Sequence, residues 1–253
     1  MSLFDLTGKV AVVTGSSRGI GRAIAEEFAK AGAKVVVSSR TEEACAPVVE
    51  AIIEAGGEAV AIPCHIGKKD DLQALVDRTI AKWGRIDTLI CNAAINPVYG
   101  PMSDLTDEAF DKIMGTNVRS TLNLCNMVLP GMAENGGGTV VLLSSIAGIR
   151  GNAVIGAYGI SKAAEAALAR NLAIEWGPKG IRVNALAPGL VKTDFARALW
   201  EDPERRARSE EKNPLRRIGD PVDIAGVALF LATDASAYVT GQTIVADGGE
   251  TIS

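Results

Sequence analysis

The chain has 253 residues, of which 47% are hydrophobic and 22% charged, and its formal net charge is −4. This composition allows one large α/β domain with a sizeable core, and the acidic balance argues against nucleic acid or an anionic membrane as the main partner. No apolar run reaches the roughly 18 residues of a membrane span, and the N-terminus lacks the basic region of a signal peptide, so we expect a cytoplasmic protein.

Short apolar segments alternate with longer helical patterns along the chain. The strand patterns cover residues 9–14, 34–39, 58–64, 85–92, 138–145, 181–188 and 242–247, and the helical patterns cover 20–31, 42–55, 69–82, 107–130, 157–176 and 221–232. Because the strands are apolar on both faces, they predict a parallel sheet with helices on both sides. The sequence therefore predicts one domain over residues 1–253, a doubly wound Rossmann fold of about seven strands.

Residues 189–219 interrupt this alternation, with mixed charge and two prolines, Pro203 and Pro214. The segment is predicted to be irregular, and such a segment inside a compact domain is often a lid or a binding loop. We expect a substrate lid at about residues 190–215. The arginines at 205, 206 and 208 alternate with acidic residues and indicate a solvated helix face.

The stretch TGSSRGIG, residues 14–21, follows the first predicted strand and opens the first helix. Residues 15–19 fit the nucleophile elbow G-x-S-x-G of hydrolases, but that site needs a histidine late in the chain and the only histidine is His65. The single histidine also excludes a His-rich zinc site, and we expect no metal. A phosphate-binding turn is favoured, because glycines let the backbone approach a pyrophosphate at a helix N-terminus.

The end of the second predicted strand reads Ser38-Ser39-Arg40 and carries no carboxylate. An acidic residue at this position of a Rossmann unit accepts hydrogen bonds from the ribose 2′-hydroxyl of NAD. A guanidinium suits a 2′-phosphate instead, and Arg18 in the first turn could approach the same side. The sequence therefore predicts NADP(H) as the cofactor.

Six motifs stand in order along the chain: T-G-x-x-x-G-x-G at 14–21, Asn92-Ala93-Ala94, Asn117, Ser145, Tyr158-x-x-x-Lys162, and Pro188-Gly189 with Thr193. Together they resemble the short-chain dehydrogenase/reductase family over essentially the whole chain. The stretches SSR, CHIG, NAAINP and APGLVKTDFARALW look like its subgroup of NADP-dependent carbonyl and retinal reductases, dehydrogenase/reductase member 4. Two positions depart from the family: Ala94 replaces a frequent glycine, and His65 replaces an aspartate near the adenine.

The resemblance implies a catalytic set of Asn117, Ser145, Tyr158 and Lys162. A free phenol is a poor acid–base at neutral pH, and the Lys162 ammonium one turn away is expected to lower the pKa of Tyr158. Ser145 would hold the carbonyl oxygen by a hydrogen bond, with Ser144 as a rival for that role. Asn117 would hold a water that relays protons to Lys162, or else its amide simply binds backbone.

The resemblance also implies which residues bind NADP(H). Lys162 would bind the nicotinamide ribose hydroxyls, Thr193 would contact the carboxamide, Asn92 would line the cofactor cleft, and His65 would flank the adenine. The complete predicted set is Gly15, Ser17, Arg18, Gly19, Ile20, Gly21, Ser39, Arg40, His65, Ile66, Asn92, Ala93, Tyr158, Lys162, Pro188, Gly189, Val191 and Thr193.

The predicted function is hydride transfer between nicotinamide and a carbonyl compound or a secondary alcohol. Fold and catalytic set do not name the substrate, but apolar side chains in segments 95–102, 146–155 and 190–215 indicate a hydrophobic ketone or aldehyde. A 3-oxoacyl-carrier-protein reductase and a non-catalytic NADP-binding sensor or scaffold are the alternatives. The helices at 107–130 and 157–176 are apolar beyond one stripe, and with the family resemblance they imply a homotetramer.

Overall fold

The computed structural model describes residues 3–253, and its centre is one parallel sheet. The strands are β1 (Val10–Thr14), β2 (Lys34–Ser38), β3 (Glu58–Ala61), β4 (Thr88–Cys91), β5 (Gly138–Leu143), β6 (Ile181–Pro188) and β7 (Thr243–Ala246). They lie in the order β3-β2-β1-β4-β5-β6-β7, and all neighbours are parallel. The strand order reverses between β1 and β4, and such a point opens a crevice at the carboxyl ends of the strands.

Helices cover both faces of this sheet, as the sequence predicts. They are α1 (Gly19–Lys30), α2 (Glu42–Glu54), α3 (Lys69–Trp83), α4 (Asp107–Met114), α5 (Ser120–Glu134), α6 (Gly156–Trp176), α7 (Arg197–Trp200), α8 (Pro203–Lys212) and α9 (Pro221–Ala232). The Rossmann-like fold is thereby confirmed. Between residues 3 and 253, none of these helices is long and apolar enough to cross a bilayer.

Two hydrophobic cores lie on opposite sides of the sheet. Phe28 of α1 and Leu231 of α9 belong to the first core, whereas Leu75 of α3 and Leu129 of α5 belong to the second. Successive strand residues face opposite ways, so Val13 of β1 enters the first core and its neighbour Val12 enters the second. This two-sided burial explains the continuous apolar runs of the strands.

Two predicted elements are wrong in detail. The helix predicted over 107–130 is interrupted by a π-helical turn, Gly115–Arg119, which separates α4 from α5. The segment predicted to be irregular contains α7 and α8. Helix α8 begins at Pro203 because the Asp202 carboxylate accepts hydrogen bonds from the backbone N–H groups of Glu204 (2.9 Å) and Arg205 (3.1 Å).

Candidate active site

The carboxyl ends of β1 and β4 are joined by Asn92 and Thr14. The Thr14 hydroxyl oxygen accepts hydrogen bonds from the backbone N–H of Asn92 (3.0 Å) and of Ala93 (3.2 Å). In return, the Asn92 side-chain amide donates to the carbonyl oxygens of Thr14 (2.9 Å) and Gly15 (3.1 Å). These four bonds fix the loop after β4 against the glycine-rich turn, so two of the predicted motifs form one wall of the crevice.

The glycine-rich turn brings backbone close to the start of α1. Gly15 and Gly19 have φ angles of 65° and 58°, in the left-handed region that favours glycine. A Cβ on Gly21 would lie 2.5 Å from both the Asn92 amide nitrogen and the Gly15 oxygen. The N-cap residue of α1, Arg18, makes no side-chain hydrogen bond to the helix. The turn, whose remaining predicted residues Ser17 and Ile20 are half-buried, therefore fits a pyrophosphate at a helix N-terminus.

The end of β2 lies beside this turn. The Ser16 backbone N–H donates to the Ser38 carbonyl oxygen (3.0 Å), and the Ser38 N–H donates to the Ser16 hydroxyl (2.8 Å). Ser39 and exposed Arg40 follow directly. Arg18 instead reaches an exposed salt bridge with Asp194, with 3.5 Å between Nη1 and Oδ2. Arg18 thus has an acidic partner in this structure, and its predicted approach to the cofactor phosphate stays a prediction.

The predicted adenine-side residues lie after β3, at the far edge of the crevice. His65 is exposed, its backbone N–H donates to Asp71 (2.9 Å), and its Nδ1 accepts from the Gly67 N–H (3.2 Å). Ile66 is half-buried and packs against the second core. Asp71 holds this loop at the end of β3, and three strands lie between β3 and β5. Among residues 3–253, no hydrogen bond joins the loop to Tyr158.

The segment after β6 closes the other side of the crevice. Pro188 and Val191 are buried, and a Cβ on Gly189 would lie 2.8 Å from the Asp247 Cα. The Thr193 side chain lies 3.3 Å from the Cβ position of Gly19. Thr193 therefore stands opposite the first turn of α1, and a cleft of about 310 Å³ runs between α1 and residues 192–194.

Tyr158 and Lys162 lie one turn apart in α6 and face the end of β5. The Lys162 Nζ is 5.5 Å from the centre of the Tyr158 ring, and the Ser145 side chain interacts with the phenol. Burial raises the pKa of Tyr158 above its ordinary value, although Lys162 and Ser145 oppose this rise. The expected lowering of the Tyr158 pKa is therefore wrong, because burial outweighs the ammonium.

The structure distinguishes the two serines after β5. The Ser144 hydroxyl donates to the Lys162 backbone oxygen (2.7 Å) and is buried. Ser145 is half-buried, and its hydroxyl oxygen accepts from the Ala147 N–H (3.1 Å) on the Tyr158 side. Ser144 is therefore a tether for α6, and Ser145 is the serine brought to the phenol.

Asn117 lies in the π-helical turn and is fully buried. Its amide nitrogen donates to the Ile95 oxygen and to the Ser161 hydroxyl, both at 3.0 Å, and its amide oxygen accepts from the Ile95 N–H at 2.9 Å. The Asn117 backbone oxygen accepts from the Thr121 hydroxyl (2.7 Å). The amide thus binds backbone and fastens the loop after β4 to α6, which leaves a water-holding role without direct support.

A narrow apolar crevice, of about 10 Å³, borders Tyr158. Its lining includes Val98, Met102, Leu105, Val154 and Ile155. The ring of Phe195, from the predicted lid, approaches the Tyr158 ring with 5.9 Å between centroids. Residues from all three segments that were predicted to select the substrate therefore border Tyr158.

Sequence reasoning missed Glu165, whose carboxylate lies 2.8 Å from the Lys162 Nζ. Lys162 and Glu165 are each only 2% exposed, and the ammonium also donates to the Leu143 oxygen (2.6 Å). Burial raises the pKa of Glu165 to about 7 against the opposing effect of Lys162. Burial favours the neutral amine of Lys162, but Glu165 and Tyr158 outweigh it and raise the lysine pKa. The available signal was a carboxylate three residues after Lys162 in an apolar helix.

Comparison with known proteins gives the family. A family model described as enoyl-(acyl carrier protein) reductase matches residues 15–251. Human dehydrogenase/reductase SDR family member 4 is 43% identical over 247 residues, which cover 96% of this chain and 88% of that protein. This chain belongs to the short-chain dehydrogenase/reductase family. The predicted resemblance to this family and to its member 4 subgroup is confirmed.

Solved structures of other short-chain dehydrogenases agree with this assignment. A 7α-hydroxysteroid dehydrogenase in complex with NADH and 7-oxo glycochenodeoxycholic acid has a TM-score of 0.93 and 40% identity, over 97% of this chain and 95% of that one. A gluconate 5-dehydrogenase from Burkholderia cenocepacia with NADP and tartrate has a TM-score of 0.94 and 31% identity, over 99% and 98%. The family is one of nicotinamide-dependent oxidoreductases, and its members differ in cofactor and substrate.

Proposed function

We propose that this short-chain dehydrogenase/reductase is an NADP(H)-dependent enzyme that interconverts a hydrophobic ketone or aldehyde and its alcohol. One observation carries the proposal: the Tyr158 phenol, next to the Ser145 side chain and the Lys162 ammonium, borders a narrow apolar crevice at the carboxyl edge of the sheet. Ligands of open α/β sheets bind at this edge. An acid–base group, a hydrogen-bond donor and an apolar binding surface therefore lie together.

The bound nicotinamide cofactor would supply or accept the hydride. In the reduction direction, Ser145 orients the substrate oxygen and Tyr158 donates the proton that neutralises it. In the oxidation direction, the Tyr158 phenolate, which the Lys162 ammonium stabilises, takes that proton back and becomes the neutral phenol. Asn117 contributes by fixing the loop after β4 against α6, so that the wall of the cleft stays in place.

Several residues fit NADP(H). The turn at residues 15–21 would hold the pyrophosphate, and Asn92 supports that turn from β4. Ser39 and Arg40 at the end of β2 would bind the 2′-phosphate, since Arg40 is exposed and its guanidinium is not engaged by any salt bridge found within residues 3–253. Thr193, Val191, Gly189 and Pro188 would close the nicotinamide side, and His65, Ile66 and Ala93 the adenine side and the crevice wall.

The substrate class follows from the lining of the cleft. Asn96 and Tyr158 are the polar side chains there, and the lining residues carry no formal charge. This lining supports an uncharged hydrophobic carbonyl compound. The alternative, a carrier-protein reductase, is supported by the description of the matching family model, enoyl-(acyl carrier protein) reductase. However, Arg206 and Arg208 of α8 already pair within their helix with Glu210 (2.8 Å) and Glu204 (3.3 Å), so they offer a weaker surface to an acidic protein.

The test is a panel of hydrophobic ketones and aldehydes, with 3-oxoacyl and enoyl thioesters alongside, followed by the loss of NADPH absorbance and repeated with NADH. Tyr158→Phe should reduce kcat at least about 100-fold, because a positioned acid–base contributes roughly 10²–10⁴-fold. Tyr238→Phe is the matched control, since Tyr238 is fully exposed. Activity above about a tenth of wild type in Tyr158→Phe contradicts the assignment, and inactivity on the whole panel favours the sensor or scaffold.

We further propose a cytoplasmic homotetramer in which residues 190–215 act as a substrate lid within one domain. Support for assembly comes from apolar side chains that α5 and α6 expose, namely Leu122 (36% exposed), Ile160 (44%) and Ile174 (79%). Exposed apolar patches of this kind are typical of protein–protein interfaces. Support for the lid comes from Phe195, which contacts the Tyr158 ring from this segment.

A further inference from the structure

Lys162 and Glu165 form a buried ion pair behind the proposed catalytic tyrosine. The two side chains lie on one face of α6, and the distance from Nζ to Oε2 is 2.8 Å. A lysine ammonium has three N–H donors. Glu165 takes one and the Leu143 carbonyl oxygen takes another (2.6 Å). One donor is then left for the nicotinamide ribose, so Glu165 restricts both the position and the free hydrogen bonds of Lys162.

The groups around Glu165 show which charges act on Tyr158. Glu165 interacts electrostatically with Lys162 and Tyr158 of its own helix and with Cys91 of β4, and Cys91 in turn interacts with Cys125 of α5. The Cys125 contact and burial raise the pKa of the Cys91 thiol far above its ordinary value, so that this thiol is neutral. Tyr99, in the loop after β4, interacts with Tyr158 and is half exposed. Glu165 is thus the carboxylate that acts on Lys162 and, through it, on Tyr158.

We propose that Glu165 is a positioning residue for the proposed reaction: it anchors the Lys162 ammonium between β4 and β5 and offsets part of its charge, and so governs how readily Tyr158 releases its proton. The inference rests on the proposed role of Tyr158. An ionised Glu165 neutralises the ammonium and makes the phenolate harder to form. A protonated Glu165 leaves the positive charge facing the phenol uncompensated, as long as Lys162 keeps its proton against the effect of burial. The charge of the Glu165 carboxylate therefore sets how strongly Lys162 lowers the pKa of Tyr158.

This role has a signature in the pH dependence. Glu165 titrates near neutrality because its pKa is raised to about 7. Below pH 6, wild type and Glu165→Gln should behave alike, because the side chain is neutral in both. Above pH 8, the carboxylate of wild type opposes phenolate formation, and Glu165→Gln lacks that effect. A neighbouring charge shifts a pKa by about one to three units, so the Tyr158 midpoint should fall by about one unit in Glu165→Gln.

The experiment titrates the Tyr158 phenol directly, by ultraviolet difference absorbance in the ligand-free protein. The chain has three tyrosines, and the variants are therefore built in a Tyr99→Phe/Tyr238→Phe background. Glu165→Gln removes the charge and keeps the shape, Glu165→Asp keeps the charge, and Glu175→Gln on the exposed face of α6 is the matched control. We expect a lower midpoint in Glu165→Gln and wild-type-like midpoints in the other two variants. The basic limb of the pH–rate profile for ketone reduction should shift in the same direction and by the same amount as the Tyr158 midpoint.

A Tyr158 midpoint in Glu165→Gln within about 0.3 units of the background protein overturns the inference, as does an equal shift in Glu175→Gln. If Glu165→Gln does not fold, carbon-13 resonances of the Glu165 carboxyl and the Tyr158 ring in the wild-type protein replace it. The chemical shift of the Tyr158 ring must then change at the pH at which the Glu165 carboxyl titrates. A Tyr158 chemical shift that does not change at that pH refutes the proposal. The titration needs neither cofactor nor substrate, so its result is independent of whether Tyr158→Phe abolishes activity.

Discussion

Replacing Gly21 by alanine tests how closely the glycine-rich turn must approach the loop after β4. The new Cβ would lie 2.5 Å from both the Asn92 amide nitrogen and the Gly15 oxygen, whereas ordinary contacts are 3.4–4 Å. Both neighbours are fixed, because Asn92 donates to the oxygens of Thr14 and Gly15 at 2.9 and 3.1 Å. An overlap of about 1 Å must therefore be relieved by moving backbone or by breaking these bonds.

Overpacking of this kind costs about 1–3 kcal/mol, and alanine in a helix recovers about 0.5–1 kcal/mol relative to glycine. We expect Gly21→Ala to lower the free energy of unfolding by about 1–2 kcal/mol and Tm by about 2–8 °C. Because the same displacement distorts the proposed pyrophosphate turn, NADPH affinity should fall about tenfold or more. Urea unfolding and fluorescence titration with NADPH measure the two effects.

Gly226→Ala is the matched control, because Gly226 is an exposed residue of α9 whose Cβ position has no neighbour within 4 Å in the part of the chain that the structure describes. This variant should be about 0.5–1 kcal/mol more stable than wild type, with unchanged NADPH binding. The reasoning is refuted if Gly21→Ala is as stable as Gly226→Ala and binds NADPH as wild type does.

Three further predictions concern the cofactor, the assembly and pH. Wild type should prefer NADPH over NADH by about 10–100-fold in kcat/KM, since a partly exposed charged pair contributes roughly 1.5–3 kcal/mol. The double variant Ser39→Asp/Arg40→Ala should reverse this preference. Equal use of NADH and NADPH by wild type would contradict the role of Arg40. Light scattering should show a tetramer, and a monomer at micromolar concentration would exclude the proposed assembly. The raised Glu165 pKa means that the folded state binds more protons than the unfolded state between about pH 4.5 and 7, so its contribution to stability is present at low pH and is lost as pH rises. Urea unfolding of wild type should therefore lose on the order of 3 kcal/mol relative to Glu165→Gln between pH 4.5 and pH 8, and parallel curves would refute this.

The sequence by itself determined the features that depend on local pattern. Apolar strands alternating with amphipathic helices specify a parallel sheet covered on both sides, because each segment can bury both of its faces only there. The spacing of Tyr158 and Lys162 places them one helical turn apart whatever the rest of the chain does. The glycines at positions 15, 19 and 21 likewise indicate a tight turn before α1. The order of the motifs along the chain indicated the short-chain dehydrogenase/reductase family, and the comparisons confirm this family.

Only the tertiary structure decided how these groups influence one another. The choice between Ser144 and Ser145, and the engagement of Asn117 by Ile95 and Ser161, depend on contacts between elements far apart in the chain. The direction of the Tyr158 pKa also depends on burial, which the local spacing of charges does not report. Glu165 is the clearest case, since a carboxylate in an apolar helix becomes chemically important only when folding removes it from water and places it 2.8 Å from Lys162.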